Sequence, residues 1–286
     1  MKTVLYKPNQ QIVLATKHGK ERAVRLPIKV GLGLEIIVPG VIETDALGTF
    51  TGEIERRGSL REVLLQKARL GMEITGLSLG LASEGSFGPH PSMPFIAADH
   101  ELIIFVDDDN GFHVIEQIFS TETNYAQTKV SSFDELKEFL TRAGFPEHAV
   151  IVRPNDRLAP DFIFKGLQKI EAAADALEIC RAASSDRIAH VETDMRAHLN
   201  PTRMRIIRRL AVKLARRLRN LCPACPAPGF GITGAEFGLP CRICRAPTNL
   251  VSAEIYGCQR CDCKTKIAEA EQSATAEPLY CPVCNP

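Results

Sequence analysis

Leu79–Pro91 reads LGLASEGSFGPHP, where an apolar lead-in from Leu77 to Leu81 gives way to small residues around one acid. The reading is a buried strand whose end, Ser83-Glu84-Gly85-Ser86, opens into a turn closed by Gly88-Pro89-His90-Pro91. A strand that delivers a carboxylate to a glycine-lined loop is how an open α/β sheet presents a metal or phosphate site. Gly85 and Gly88 let backbone N–H groups approach a ligand closely. Serine, glycine and proline are also ordinary turn residues, so the stretch alone leaves a surface turn open.

Upstream, Gln11–Thr16 (QIVLAT) reads as a buried strand running into the basic turn Lys17-His18-Gly19-Lys20. A short helix starts at Glu21 and is limited or restarted by Pro27, because proline clashes with the preceding turn. Gly33–Pro39 reads as a second strand, and Glu43–Glu53 as a polar loop holding Glu43, Asp45 and Glu53. Ser59–Thr75 has helical spacing, with Ser59 and Glu62 as a capping box.

Downstream, Glu101–Val106 and Phe112–Ile118 flank Asp107–Gly111 as a hairpin, with Asn110-Gly111 suited to positive φ. The triplet Asp107-Asp108-Asp109 reads as a solvated turn, with cation binding as the alternative. Ser131–Ala143 is a helix capped by Ser132, His148–Val152 a strand, Lys169–Ala183 a helix with Cys180 in the core, and Arg187–Glu192 a strand. Asn200-Pro201 caps and starts a long helix, Pro201–Leu221, with Met204, Ile207, Leu210, Ala211, Leu214 and Leu218 as its apolar stripe. Arg203, Arg205, Arg208, Arg209, Lys213, Arg216, Arg217 and Arg219 fill much of the remainder. Such a helix is either a packed element with a solvated charged face or a nucleic-acid binder. Arg203 lies in its first turn, where the helix N-terminus favours an anion.

The 286 residues allow one large domain and a smaller one, and a formal charge of +1 points to no polyanion partner by itself. No apolar run reaches the length of about 18 residues that a membrane span needs. MKTVLYKPNQ lacks the apolar core of a secretory leader, so the expectation is a cytoplasmic protein with no membrane partner.

Nine of the ten cysteines lie between Cys222 and Cys284. Eight form CxxC pairs: Cys222/Cys225, Cys241/Cys244, Cys258/Cys261 and Cys281/Cys284. In a reducing compartment this spacing means metal, and eight thiolates suffice for two structural Zn²⁺ ions. The chain thus divides into an α/β body, 1–221, and a cysteine-rich zinc-ribbon tail, 222–286. One pairing joins Cys241/Cys244 to Cys258/Cys261 through a Thr248–Tyr256 hairpin and leaves Cys222/Cys225 with Cys281/Cys284 outside it. The other pairs the knuckles sequentially. Cys263 is a possible substitute for Cys261 as a ligand.

Four features of the body, in order, resemble the inosine/xanthosine triphosphate pyrophosphatase superfamily. Val13-Leu14-Ala15-Thr16-Lys17-His18-Gly19-Lys20 is similar to its (Ser/Thr)-x-Asn-x-x-Lys phosphate turn, with His18 for the asparagine and Lys20 one position early. The helix ending in Lys67-Ala68 is similar to Glu-Asn-Ala-x-x-Lys-Ala, with Glu62 at the metal-facing glutamate and Val63 for the asparagine. Gly80–Phe87 resembles the Asp-Asp-Ser-Gly-Leu and Glu-Gly-Gly segments, with Glu84 on the metal-binding acid. The strand ending at Thr193, followed by Arg196 and Arg203, resembles the Thr-x-Gly…Arg segment before the last helix. The likeness covers roughly residues 11–218. The strings SEGSFGPHP, GTFTGE and TDMRAHLNPTRM, with the cysteine tail, also resemble an uncharacterised bacterial family, a domain of unknown function.

The resemblance implies an α/β fold with a mixed central sheet flanked by helices. It further implies a metal-dependent hydrolase that releases pyrophosphate from a nucleoside triphosphate or related phosphate compound. Glu62 and Glu84 would hold Mg²⁺, Lys20 and Lys67 would offset phosphate charge, and His18 or one of Glu43, Asp45 and Glu53 would move the proton. Thr16, Ser83, Gly85, Ser86, Thr193, Arg196 and Arg203 would contact the substrate. The alternative is a non-catalytic protein that binds a nucleotide, or a nucleic acid through the basic helix and zinc ribbons.

Overall fold

In the computed structural model, residues 6–40, 59–156, 160–268 and 275–286 are described. The expected loop with Glu43, Asp45 and Glu53 lies outside them.

Val13 and Ala15 point to one face of strand β1 (Gln11–Ala15), Ile12 and Leu14 to the other, and all four are buried. A strand buried on both faces belongs inside a helix-covered sheet. That sheet runs, in order, β2 (Glu35–Ile37), β1, β3 (Leu79–His90), β4 (Met93–Asp107) and β5 (Phe112–Ser120). β2, β1 and β3 are parallel, whereas β4 and β5 are antiparallel. Helices α1 (Glu21–Leu32) and α5 (Pro201–Leu218) pack on Ile12, Leu14, Leu79, Leu81 and Ile103. Helix α2 (Leu60–Thr75) covers Val13, Ala15, Ala82, Leu102 and Ile104 on the opposite face. The chain leaves β1 for β2 on one side and returns to β3 on the other. The ends of β1 and β3 are therefore a topological switch point, where open α/β sheets place their ligands.

Two expectations for this sheet are corrected. Helix α1 does not stop at Pro27 but continues to Leu32, with Val24, Ile28 and Leu32 buried. Burying such side chains contributes about 1.5–3 kcal/mol each, which together outweighs the roughly 3 kcal/mol cost of an internal proline. The expected turn at Ser83–Ser86 is absent. β3 is a continuous strand of 12 residues, paired with β4 from Leu79↔Asp107 to Pro89↔Ala97. Strand propensity yields to context, and here β4 supplies a ladder along the whole segment. The capping box is formed, as Ser59 and Glu62 exchange side-chain-to-backbone bonds. At the β4–β5 hairpin, Gly111 takes a φ of +66°.

A second sheet carries the rest of the body, where one central sheet was expected. Its strands are β6 (Gln127–Val130), β9 (Ala189–Thr193), β7 (Val150–Pro154) and β8 (Phe164–Leu167), all antiparallel. Helices α3 (Phe133–Ala143) and α4 (Ile170–Ala183) cover it over a separate core that includes Leu136, Phe139, Leu177 and Val191. The architecture is mixed α/β. Asn200 caps α5 by accepting a bond from the Arg203 N–H at 3.0 Å, with Pro201 in the first turn.

In the tail, β10 (Gly231–Phe237), β11 (Val251–Gly257) and β12 (Lys264–Ala268) form an antiparallel meander. The expected Thr248–Tyr256 hairpin does not form, because most of that segment is the central strand β11. Among the described residues, no helix is long and apolar enough to cross a membrane.

Candidate functional site

β1 ends at Ala15, opposite Ala82, while β3 runs on and leaves part of its edge beyond β1. Lys20, at the N-cap of α1, fills this position: its Nζ donates to the Ser83 carbonyl at 2.6 Å, and the residue is 6% exposed. Burial, followed by the positive charge of Arg203, lowers the Lys20 pKa to about 8. The unfolded chain holds this proton up to its ordinary value of 10.5, so between the two values the unfolded state binds more protons. Stability should therefore rise with pH from about 8 towards 10.5, and Lys20→Met should flatten that rise. Urea midpoints at the two ends of the window test it; an equal rise in the variant would count against a buried lysine.

Alternation along β3 divides the remaining charges between the two faces of the sheet. Glu84 faces α2, where Lys67, itself buried, makes an ion pair with it. Gly85 and Phe87 face the other way, opposite Glu101 and Asp99 of β4. Arg203 reaches that face from the first turn of α5. Its Nε donates to Glu101 Oε1, its Nη1 to the Met195 carbonyl, and its guanidinium lies 5.1 Å from the centre of the Phe87 ring. A Cβ on Gly85 would lie 2.4 Å from Glu101 Oε1 and 2.5 Å from Arg203 Nη2, so glycine makes room for the ion pair.

Asp99 is 1% exposed, and neither of its carboxylate oxygens has a hydrogen-bond partner among the described residues. The same holds for Glu101 Oε2 and Ser83 Oγ. Burial and the charge of Glu101 push the Asp99 pKa up to about 8. Buried oxygens without partners are uncommon, and strain, a catalytic role, water or an ion are the usual reasons for them.

The tail holds two four-cysteine groups, Cys222/Cys225/Cys258/Cys261 and Cys241/Cys244/Cys281/Cys284. Sulfur separations across them are 3.7 and 3.6 Å in the first group and 3.9 and 3.5 Å in the second. A tetrahedral Zn–S bond of about 2.3 Å places sulfurs about 3.8 Å apart, so both groups are compatible with zinc. The pairing is interleaved, which replaces both expected schemes. The meander causes it: Gly231↔Gly257 brings the first knuckle to the third at one end of the sheet. At the other end, the Ala276 N–H donates to the Pro240 carbonyl, setting the fourth knuckle beside the second. Cys263 stands outside both groups, and its carbonyl accepts the Cys258 N–H at 3.0 Å.

A family model described as Domain of unknown function (DUF6671) matches residues 67–286. The chain belongs to this family. The matched span runs from Lys67 through Glu84, Asp99, Glu101 and Arg203 to the eight clustered cysteines. No curated protein matches the chain.

Of the residues singled out in this family member, Lys20, Ser83, Glu84, Gly85, Lys67 and Arg203 gather around β3. Glu62 does not join them. It is exposed, and its carboxylate accepts from the Ser59 N–H at 2.7 Å and the Ser59 hydroxyl at 2.9 Å, which caps its own helix. The Thr16 hydroxyl accepts the His18 N–H at 3.4 Å, and the His18 ring stacks on His198 at 5.4 Å. Ser86 is exposed. Thr193 is tied to the backbone of Ala126, and Arg196 pairs with buried Asp194, which also accepts the Gly166 N–H at 3.0 Å. Asp99 and Glu101 went unread in the sequence. The available signal is their spacing: two acids two residues apart share a strand face, and they directly precede the apolar run Leu102–Val106.

Proposed function

We propose that the body is a metal-dependent hydrolase acting on a nucleoside triphosphate or related phosphate compound, releasing pyrophosphate at the β1/β3 switch point. What supports it most is the buried charge cluster there: Lys20, Lys67 and Arg203 beside Glu84, Asp99 and Glu101. The likeness to the inosine/xanthosine triphosphate pyrophosphatase superfamily supports the same reading. Glu62 and Glu84 do not fit a shared Mg²⁺, since one caps a helix and the other is bound to Lys67. Asp99 and Glu101 fit better, because a hard divalent cation takes oxygen ligands and three of their oxygens have no other described partner. Bound there, Mg²⁺ supplies positive charge against the phosphate oxygens.

The chain's own groups do the rest. Arg203 holds Glu101 in place and adds positive charge on the α5 side of the sheet. Lys20, with its pKa lowered to about 8, carries a proton that it can surrender near neutral pH to a leaving phosphate oxygen. Lys67 pairs with Glu84 on the α2 side and balances its charge there.

Pyrophosphate release from a panel of standard and deaminated nucleoside triphosphates, with Mg²⁺ or Mn²⁺, tests this. Asp99→Asn keeps the side chain's size and should lower kcat/KM about a hundredfold or more. It should also abolish any rise in melting temperature on adding Mg²⁺. A wild-type chain that turns over no member of the panel in either metal would overturn the reading.

A further inference from the structure

Away from the switch point, a groove of about 710 Å³ opens where β5, the start of α2 and the end of α5 meet β10 of the tail. Its size is that of a ligand cleft. Its walls are cationic. Arg61 comes from the first turn of α2, His113 from β5, and Lys213 and Arg217 from α5. Glu116 is the acid among the described lining residues, and Lys213 and Arg217 already hold it at 2.9 Å each. Burial, and after it the charges of Arg69 and Arg61, lower the His113 pKa.

The positive wall continues beyond the groove. Arg205, Arg209 and Lys213 are exposed and spaced four residues apart, so they form a row on α5 with steps of about 6 Å. Arg209 also meets Glu122 at 2.9 Å, a surface pair of the kind that solvent and other anions readily displace. The opposite wall is β10, an edge strand whose Ile232, Thr233 and Gly234 are exposed. Edge strands present unpaired backbone donors and acceptors. Tyr256 adds a ring to the lining, set against Phe230 at 6.2 Å.

We infer that this groove and the adjoining row on α5 bind single-stranded nucleic acid. A line of cations at regular spacing matches the repeating phosphates of a strand, and the polar edge and the tyrosine ring offer contacts for bases. The site uses none of the residues of the switch-point cluster, so its test is separate from the hydrolase assay.

The test is fluorescence anisotropy of a labelled oligouridylate with the full, zinc-loaded chain, over a range of salt concentrations. Arg61→Glu combined with Lys213→Glu should weaken binding about tenfold or more at low salt and reduce the slope of log K against log salt by about two. Pyrophosphate release should stay as in the wild type, and Arg61→Glu alone, which leaves the Lys213–Glu116 pair in place, should keep the wild-type melting temperature and show a smaller loss of binding. Arg142→Glu, on the exposed face of α3, should leave binding unchanged. Three results would overturn the inference: no wild-type binding at low salt, unaltered binding by the double variant, or displacement by polyglutamate as efficient as by unlabelled oligonucleotide.

Discussion

Arg203→Met destabilises the body by about 3–5 kcal/mol, because it strands a buried carboxylate. Arg203 is 3% exposed and Glu101 is 0% exposed. Without the guanidinium, Glu101 faces Asp99 on the same strand face, and the Met195 carbonyl loses its donor. Lys20, whose Nζ donates to the Ser83 carbonyl, acts on Glu101 through its charge and makes no described hydrogen bond to it. The loss thus comes mainly from an uncompensated charge rather than from lost attraction. For that reason Glu101→Leu together with Arg203→Met should recover most of it, as an apolar pair does when it replaces a buried ion pair. Urea denaturation with an unchanged m-value measures both steps. A single variant within about 1 kcal/mol of the wild type, the size of a typical surface pair, would show that the pair is solvated.

This coupling also explains which parts of the molecule could be read from sequence. The capping box at Ser59/Glu62, the Asn200-Pro201 helix start and the Gly111 turn were legible because each depends on neighbours within a few residues. Strand β1 was legible because its run is apolar on both faces. The length of β3 was not, since Ser83-Glu84-Gly85-Ser86 has the composition of a turn and becomes strand only through its ladder with β4. The short strands β6 and β8 carry too little apolar pattern to stand out; Gln127 and Lys129 face solvent.

The site shows the same division. Lys20, Glu84 and Arg203 were singled out, but the role given to Glu62 was already explained by local capping. Asp99 and Glu101 acquire meaning only from the register that sets Gly85 opposite Glu101. The family match does not reach back to Lys20, whose place in the cluster follows from the parallel pairing of β1 with β3.

The cysteine tail carries the other large effect, and zinc content separates the three possible pairings. Cys222→Ala with Cys258→Ala should leave one zinc per chain, because both residues serve the first group. Cys222→Ala with Cys241→Ala should leave none, because each group then loses a ligand. In the nested and the sequential schemes alike, Cys222 and Cys258 belong to different ions, so the first double variant would lose both. Structural zinc contributes an apparent binding free energy of about 10–16 kcal/mol in small domains, so losing a site should unfold the end of the meander that it holds. The effects should be non-additive within a group: Cys222→Ala/Cys258→Ala should be no less stable than either single variant, while the cross-group pair should cost more than either. Metal analysis by mass spectrometry, beside the melting of the tail, decides it. Retention of one zinc by the cross-group variant, or none by the within-group variant, would rule out the interleaved arrangement and with it the register that joins Gly231 to Gly257.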